Sequence, residues 1–273
     1  MKVAAVQFFP EFGAMERNLA RMSELVADVR ADLYVLPELA VSGYLFESES
    51  EARTLAQAPD SSAFDGLAEL AHERGAAIVV GFAELARDDL YNSSLLITPE
   101  GNRQVYRKIH LFYGEKDVFQ PGDRPPEVHE ASGARLGLMI CFDWIFPETA
   151  RSLAVLGADI LCHSANLVLP YCQEAMVTRC IENRVFAVTA NRTGSEERAG
   201  KKLGFTGLSE IVTPAGQILV RAGEDSEEVI VATIDPSEAR DKWVTPQNNI
   251  MTDRRTHLYR LGSQDPQGGA TED

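Results

Sequence analysis

Three residues of different chemical type could together carry out nucleophilic catalysis. Cys141 follows a short apolar run, residues 135 to 140, and Pro147 can occupy the first turn of a helix that comes next. A thiol at such a turn would lie beside backbone N–H groups that have no helical partner and can stabilise an anion. A cysteine nucleophile also needs a base, and an acyl-transfer transition state needs positive charge at the developing oxyanion. Glu38 and Lys108 are of the types that supply these functions.

Each of these residues also has an ordinary structural interpretation. Cys141 could be a small buried hydrophobe, Glu38 a cap in a loop and Lys108 a solvated surface charge. Taken singly, each is better explained in that way. The surrounding sequence therefore has to decide between a structural and a catalytic role.

The composition of the chain limits which class of protein it can be and which partners it can bind. The 273 residues, 45% of them hydrophobic, can bury one large core or two small ones, and no apolar run approaches the ~20 residues needed to span a bilayer. The N-terminal MKVAAVQFFPEFG is typical of a first strand and not of a signal peptide, which predicts a cytoplasmic protein. The formal charge of -15 argues against a nucleic-acid partner.

The cysteines and histidines show no metal-binding pattern. The four cysteines, at positions 141, 162, 172 and 180, form no CxxC pair and no spacing typical of zinc, and the five histidines form no HExxH cluster. We therefore expect reduced thiols and no metal.

Apolar periodicity predicts the elements that must position the reactive side chains. Parallel sheets built from β-α-β units collect active groups at the carboxyl ends of their strands, and Glu38 and Cys141 both follow predicted strands. Lys108 follows a predicted hairpin. In the first half, we predict strands at 2–8, 33–36 and 77–82, helices at 14–30 and from Ser61 or Ser62 to Gly75, and a hairpin of 91–98 with 103–106.

The second half repeats this order, which predicts two structural halves of one plan. Stacked sheet to sheet with helices outside, the halves would form a four-layer α-β-β-α sandwich of the α/β class. The predicted elements of the second half are strands at 135–140, 159–163 and 186–191, helices at 147–156 and about 173–183, a hairpin of 209–212 with 217–221, and a last strand at 228–234.

The sequence segments around these three residues resemble those of a known protein family. PELAVSGY, YRKIHLFYGEKDVFQPGD and GLMICFDWIFPE resemble, in the same order, the three catalytic segments of the nitrilase superfamily, the carbon-nitrogen hydrolases. The likeness also covers HSANLVLPY (163–171) and RCIENRVFAVTANRTG (179–194), and so extends over nearly the whole chain to about Tyr259. Three long motifs in register favour the catalytic interpretation.

The resemblance implies a role for each of several residues. It implies a catalytic triad of Glu38, Lys108 and Cys141, with Glu115 as a second glutamate that could instead be a surface carboxylate paired with Lys116. The family pattern further implies that the backbone N–H of Phe142 is an oxyanion donor. Trp144 and Tyr44 could line the pocket or serve only in packing.

The resemblance also implies an architecture and an assembly. We expect one carbon-nitrogen hydrolase domain over residues 1–259, an α-β-β-α sandwich of the nitrilase type, and a disordered acidic tail over residues 260–273. The family usually dimerises through the face that carries the helix after the cysteine. We therefore expect a homodimer or a higher homo-oligomer.

The implied reaction is hydrolysis of a non-peptide C–N bond through a cysteine thioester, without a cofactor. Because Trp-Glu, typical of true nitrilases, does not follow the cysteine, and no basic residue lies between Cys141 and Pro147, a small uncharged carboxamide is favoured as substrate. A nitrile or an N-carbamoyl amide remains an alternative. Two other classes stay open: a papain-like enzyme that pairs Cys141 with His163, and a non-catalytic scaffold.

Overall fold

The first half of the chain forms three strands and three helices, followed by a hairpin. The computed structural model describes residues 1–198 and 200–260. Gly75 ends the third helix in the left-handed conformation, as the sequence predicts. In chain order the elements are β1 (Lys2–Gln7), α1 (Met15–Asp28), β2 (Leu33–Val35), α2 (Glu49–Leu55), α3 (Asp65–Arg74), β3 (Ala77–Ala86), β4 (Asp89–Ile97) and β5 (Arg103–Arg107).

The second half repeats this order with additional strands. Pro147 occupies the first turn of its helix, where its missing N–H is not needed. The elements are β6 (Val128–Ala131), β7 (Ala134–Ile140), α4 (Pro147–Val155), β8 (Ile160–Ser164), α5 (Cys172–Asn183), β9 (Phe186–Ala190), β10 (Ser195–Arg198), β11 (Lys201–Gly204), β12 (Glu210–Val212), β13 (Ile218–Arg221), β14 (Glu228–Thr233), β15 (Trp243–Thr245) and β16 (Asn248–Asn249).

The strands form two six-stranded sheets of matching plan. Their orders are β14-β1-β2-β3-β4-β5 and β13-β12-β9-β8-β7-β6. In each sheet three consecutive strands are parallel, β1 to β3 and β7 to β9, and antiparallel strands flank them. The last strand of this plan, β14, returns to the first sheet and pairs with β1.

The sheets pack face to face and the long helices cover their outer faces. Ala4 and Val6 of β1 pack with Met22 and Val26 of α1 in one apolar core, and residues of α3 join them. α4 and α5 pack on β7, β9 and β12 of the other sheet. Strands buried on both faces are typical of such layered sheets. The predicted four-layer α-β-β-α sandwich is confirmed.

Four short elements, one helix and three strands, lie where the sequence predicted only loops. α2 buries one residue, Ala52, so its apolar periodicity is too weak to indicate a helix. The strands β6 and β10 and β11 are four residues long, and most of their side chains are polar and partly exposed. Their pairing partners, which the local sequence does not reveal, define them as strands.

The chain divides into a compact unit of residues Met1–Asp241 and a second unit that begins at Lys242. Within the second unit, β15 pairs with β16 in antiparallel fashion. The predicted single domain of residues 1–259 stays a prediction, and the predicted tail lies, from residue 261 onward, outside the described residues. Among the described helices, none has both the length and the apolar character needed to span a bilayer.

Candidate active site

Three of the predicted residues form a buried ion cluster. Lys108 directly follows β5, Glu38 lies three residues beyond β2, and Glu115 lies in a 3₁₀ turn, Tyr113–Asp117. The Lys108 ammonium donates to Oε1 of Glu38 at 2.6 Å and to Oε1 of Glu115 at 2.8 Å. The Lys108 and Glu38 side chains have no exposed surface. A cation between two carboxylates offsets the desolvation that each charge would otherwise suffer alone.

Two neutral side chains complete this cluster. Asn92 of β4 donates from Nδ2 to Oε1 of Glu38 at 2.7 Å, and the Tyr44 hydroxyl donates to Oε1 of Glu115 at 2.7 Å. Oε1 of Glu38 thus accepts two hydrogen bonds, whereas its buried Oε2 has no hydrogen-bond partner among the described residues. This second oxygen is free to accept a proton.

The environment shifts the pKa values of the cluster in directions that suit acid-base chemistry. Burial, together with the charge of Glu115, raises the pKa of Glu38 to about 7, against the opposing effect of Lys108. Burial disfavours the charged lysine, but Glu115 and Glu38 outweigh burial and raise the pKa of Lys108. Burial, followed by the nearby Glu38 charge, holds the pKa of the Cys141 thiol well above its usual value. At neutral pH, the thiol is therefore protonated at rest.

Cys141 lies where the sequence predicts it, immediately after β7. Its backbone has φ +39°, a left-handed conformation that non-glycine residues rarely adopt and that often marks functional turns. Its Sγ lies 3.7 Å from the carbonyl oxygen of Asn166. The Asn166 side chain in turn donates from Nδ2 to the Glu38 backbone carbonyl at 2.9 Å. Asn166, just beyond β8, thus links the thiol of the second half to the glutamate of the first.

A second buried carboxylate holds the turn that carries the thiol. Asp143 accepts hydrogen bonds from the Tyr106 hydroxyl at 2.8 Å and from the Ile140 N–H at 3.0 Å. His110 Nδ1 lies 2.8 Å from its other oxygen, and the His110 ring stacks on Phe146. Asp143 therefore ties the end of β7 to β5 and to the loop after Lys108.

Two glycines allow the segments that carry Glu38 and Lys108 to lie against neighbouring backbone. A Cβ on Gly81 of β3 would come within 2.4 Å of the Pro37 carbonyl oxygen and 2.5 Å of the Glu38 Cα. A Cβ on Gly122 would come within 2.4 Å of the Arg107 carbonyl oxygen, and the Gly122 N–H donates to the Lys108 carbonyl at 2.8 Å. Only glycine fits at either position without movement of the backbone.

The thiol also borders a small apolar cavity. Phe142 and Trp144 line it together with Cys141, while Tyr44 lines a separate cavity on the side of Glu115. The Phe142 and Phe112 rings pack with centroids 5.0 Å apart. The remaining residues around the thiol cavity are Phe112, Asn166, Leu167, Val168 and Leu169. None of the residues that line this cavity carries a charge.

Both ring nitrogens of His163 contact groups other than the thiol. Its Nε2 lies 3.0 Å from the Cys141 carbonyl oxygen and its Nδ1 lies 3.2 Å from the Thr189 hydroxyl. Burial lowers the pKa of His163 to about 4. Because both ring nitrogens contact other groups, the geometry disfavours the papain-like alternative.

The site contains three residues that the sequence did not single out: Asn92, Asn166 and Asp143. Asn166 and Asp143 lie within HSANLVLPY and GLMICFDWIFPE, so the motifs contained a signal, but their contacts arise only when the strands are paired. The catalytic roles of Glu38, Lys108, Cys141 and Glu115 stay predictions.

The α-β-β-α sandwich, with a buried thiol and a buried cluster of one lysine and two glutamates beyond its strand ends, defines a class of α/β protein. Residues 2–242 match the family model for carbon-nitrogen hydrolase. The chain belongs to the carbon-nitrogen hydrolase family, and the resemblance to that family is confirmed.

Individual relatives fall on both sides of the amide and nitrile division. A nitrilase from Pyrococcus abyssi is 43% identical over 95% of this chain and 99% of its own. An (R)-stereoselective amidase from Pseudomonas sp. is 34% identical over 98% of this chain and 96% of its own. The fold matches an amidase from Nesterenkonia sp. AN1, with 25% identity, a TM-score of 0.77 and coverage of 94% of this chain and 95% of that one. Another structure of that amidase has the acetamide moiety of fluoroacetamide covalently attached to its active-site cysteine.

Proposed function

We propose that this protein hydrolyses small, uncharged carboxamides to carboxylic acid and ammonia through a thioester on Cys141. The observation that carries the proposal is the buried Lys108, held between Glu38 and Glu115 beyond strand ends of the first sheet, while Cys141 follows a strand end of the second sheet. The covalent adduct on the cysteine of the Nesterenkonia amidase supports the same chemistry here.

Glu38 acts as the base in the first step. Its Oε2 accepts the proton of Cys141 as the sulfur attacks the amide carbon, so no free thiolate accumulates. The resulting tetrahedral oxyanion is stabilised by the Lys108 ammonium and by the N–H of Phe142, which has no acceptor within the short turn Cys141–Ile145. Glu38 then protonates the leaving nitrogen, and ammonia departs as the C–N bond breaks.

Water completes the reaction. Glu38 removes a proton from a water molecule that attacks the thioester carbon, and the acyl–sulfur bond breaks with return of that proton to sulfur. Glu115, joined to Lys108 and Tyr44, orients this water and keeps the lysine in place. A pKa near 7 suits Glu38 because it must both accept and donate a proton in each cycle.

The apolar cavity beside the thiol favours an uncharged acyl group. A carboxylate or ammonium of the substrate would lose its hydration against Phe142, Trp144 and Leu167 without gaining a charged partner. Trp144 is buried and forms part of the cavity wall, so its indole ring would limit the size of the acyl group. Acrylamide, bound in one structure of the Nesterenkonia amidase, is a molecule of this kind.

Nitrile hydrolysis is the second candidate, because the Pyrococcus abyssi nitrilase is 43% identical. Addition of the same thiol to a nitrile gives a thioimidate, which one water converts to the thioester with loss of ammonia. An N-carbamoyl substrate is a further alternative, since several relatives are N-carbamoylputrescine amidases.

Ammonia release from a matched panel separates these candidates. Purified protein and Cys141→Ala would each receive an aliphatic carboxamide, its nitrile and its N-carbamoyl analogue. We expect turnover of the carboxamide alone, reduced at least about 10³-fold in Cys141→Ala. Nitrile turnover without amide turnover would favour the second candidate, and full activity of Cys141→Ala would overturn the mechanism.

We also propose a homodimer or higher homo-oligomer and a cytoplasmic location. The surface formed by the turn after Cys141 and by α4 and α5 exposes Ile145, Leu156 and Ile181, which supports self-association. Four buried cysteines without disulfides suit a reducing compartment. Light scattering during size-exclusion chromatography would test the first proposal, since a mass of 30.0 kDa would indicate a monomer.

A further inference from the structure

A buried ion pair lies outside the catalytic steps described above. Arg192, two residues beyond β9, donates from Nη1 to Oε1 of Glu196 in β10 at 2.5 Å. Arg192 has no exposed side-chain surface and Glu196 has 3%. Arg192 also donates to the Pro10 carbonyl at 3.0 Å, and its guanidinium lies 4.1 Å from the centroid of the Phe205 ring. Burial of two charges is costly, so this arrangement calls for a specific use of the carboxylate.

The Glu196 carboxylate holds the main chain of the loop that follows Glu38. Its Oε2 accepts the Leu45 N–H at 2.7 Å, and its two oxygens lie 3.1 and 3.2 Å from the Tyr44 nitrogen. Two consecutive backbone N–H groups therefore bind one carboxylate, whose charge Arg192 balances. Such charge-assisted hydrogen bonds are shorter and stronger than neutral ones and fix geometry well.

Tyr44 continues this chain of contacts to the site. Its hydroxyl donates to Oε1 of Glu115, the same oxygen that accepts from Lys108. Its ring meets the Phe205 ring edge to face, at 5.9 Å between centroids, and Arg192 covers that same ring. The ion pair thus constrains both ends of Tyr44, the backbone through Glu196 and the ring through Phe205.

We propose that Arg192 and Glu196 are positioning residues that fix Tyr44 and, through its hydroxyl, the orientation of Glu115. This inference rests on the proposed function, in which Glu115 orients the attacking water and holds Lys108. The competing explanation is a buried ion pair that stabilises the fold only. If Arg192 and Glu196 act by positioning Tyr44, loss of Glu196 lowers kcat only while the Tyr44 hydroxyl is present.

A double-mutant cycle tests this dependence. The kcat and KM for the best carboxamide would be measured for the unaltered protein, Glu196→Gln, Tyr44→Phe and the double variant. We expect each single change to lower kcat roughly 10-fold with KM within about 2-fold, and the double variant to lose roughly 10-fold and not roughly 100-fold. Multiplicative losses, or a loss confined to KM, would overturn the proposal.

Glu197→Gln is the matched control, because Glu197 is the next residue of β10 and its exposed side chain pairs only loosely with Lys202, at 3.5 Å. We expect its kcat to stay within about 2-fold of the unaltered protein. Circular dichroism would verify that each variant is folded at the assay temperature. If Glu196→Gln does not fold, Arg192→Lys replaces it in the cycle. This change keeps the positive charge but removes Nη2, the nitrogen that donates to the Pro10 carbonyl.

Different results would refute the proposed function and the positioning of Tyr44. Turnover retained in Cys141→Ala would refute the proposed function. Multiplicative losses in the cycle, in a protein whose Cys141→Ala variant is inactive, would refute only the positioning of Tyr44 by Arg192 and Glu196.

Discussion

Glu38 and Cys141 each follow a parallel strand, one in each sheet, yet their surroundings differ. Glu38 shares its hydrogen bonds with Lys108 and Asn92 in a cluster of charged and polar groups. Cys141 has a weak contact to the Asn166 carbonyl and borders a cavity lined by aromatic and aliphatic side chains, and its backbone is strained. The first half therefore holds its groups by mutual charge compensation, whereas the second half holds the thiol by backbone geometry and by the hydrogen bonds of Asp143 in its turn.

This difference follows from what each group must do. A carboxylate and an ammonium can be buried only if they neutralise one another, so the first half carries a complete ion cluster. The thiol is neutral at rest, because burial and the Glu38 charge raise its pKa, and so it tolerates an apolar setting that also suits an uncharged substrate. The reactive site is complete only where the two sheets meet.

Lys108→Met gives the largest expected effect, because it breaks the charge compensation. Two buried carboxylates would face each other without a cation, and the oxyanion would lose a donor. We expect kcat/KM to fall about 10³-fold or more and stability to fall by about 3 kcal/mol at pH 8. Steady-state kinetics and urea unfolding measure these, with the exposed Lys116→Met as control. Near-normal activity of Lys108→Met would show that activity does not need a cation between Glu38 and Glu115.

Gly81→Ala tests whether the first half also depends on backbone geometry. The new methyl group would meet the Pro37 carbonyl oxygen and the Glu38 Cα, so the Glu38 loop must move. A displacement of about 1 Å can cost roughly 100-fold in rate, and we expect a loss of that order in kcat/KM. Gly66→Ala in α3, where a Cβ meets nothing within 4 Å, is the control. Equal activity of the two variants would contradict the prediction.

Asp143→Asn tests the second half in turn. The aspartate accepts from Tyr106, Ile140 and His110 through its two oxygens, whereas asparagine has one oxygen and adds a donor. At least one buried donor would lose its acceptor, so we expect a loss of about 1–3 kcal/mol in stability and roughly 10-fold in kcat/KM as the turn at Cys141 relaxes. Unfolding curves and kinetics check both values. A destabilised variant with full kcat/KM would mean that Asp143 does not position the thiol.

The sequence predicted the two halves and the meeting of Glu38, Lys108 and Glu115, but not most of the groups that hold them. Strand periodicity and long motifs are local signals; the sheets confirm the predicted strands, and the family match confirms the resemblance that the motifs carry. Asn92, Asp143 and Glu196 are single polar residues, and each has at least one partner far along the chain. Because one polar residue looks the same whether it is solvated or buried, only the paired strands reveal its role.

Asn92→Leu gives the smallest expected effect, a shift in the pH dependence of kcat/KM that tests the ionisation of Glu38 in the first half. The Asn92 amide donates to Glu38 and so favours its ionised form, the form that would accept the thiol proton in the proposed mechanism. Burial and Glu115 raise the pKa of Glu38 to about 7 against the opposing effect of Lys108, and that ionisation is expected to set the acidic limb of kcat/KM. Loss of the donor raises the pKa of Glu38 further.

The acidic limb of Asn92→Leu should therefore move to higher pH by roughly 0.7 unit, the equivalent of a hydrogen bond of about 1 kcal/mol. Above that limb, kcat/KM should stay within about 3-fold of the unaltered protein, because Lys108 still donates to Glu38. A pH series with one carboxamide measures both quantities. An acidic limb that stays in place or moves to lower pH would mean that a group other than Glu38 titrates there. The charge compensation around Glu38 would then not set the pH dependence of kcat/KM.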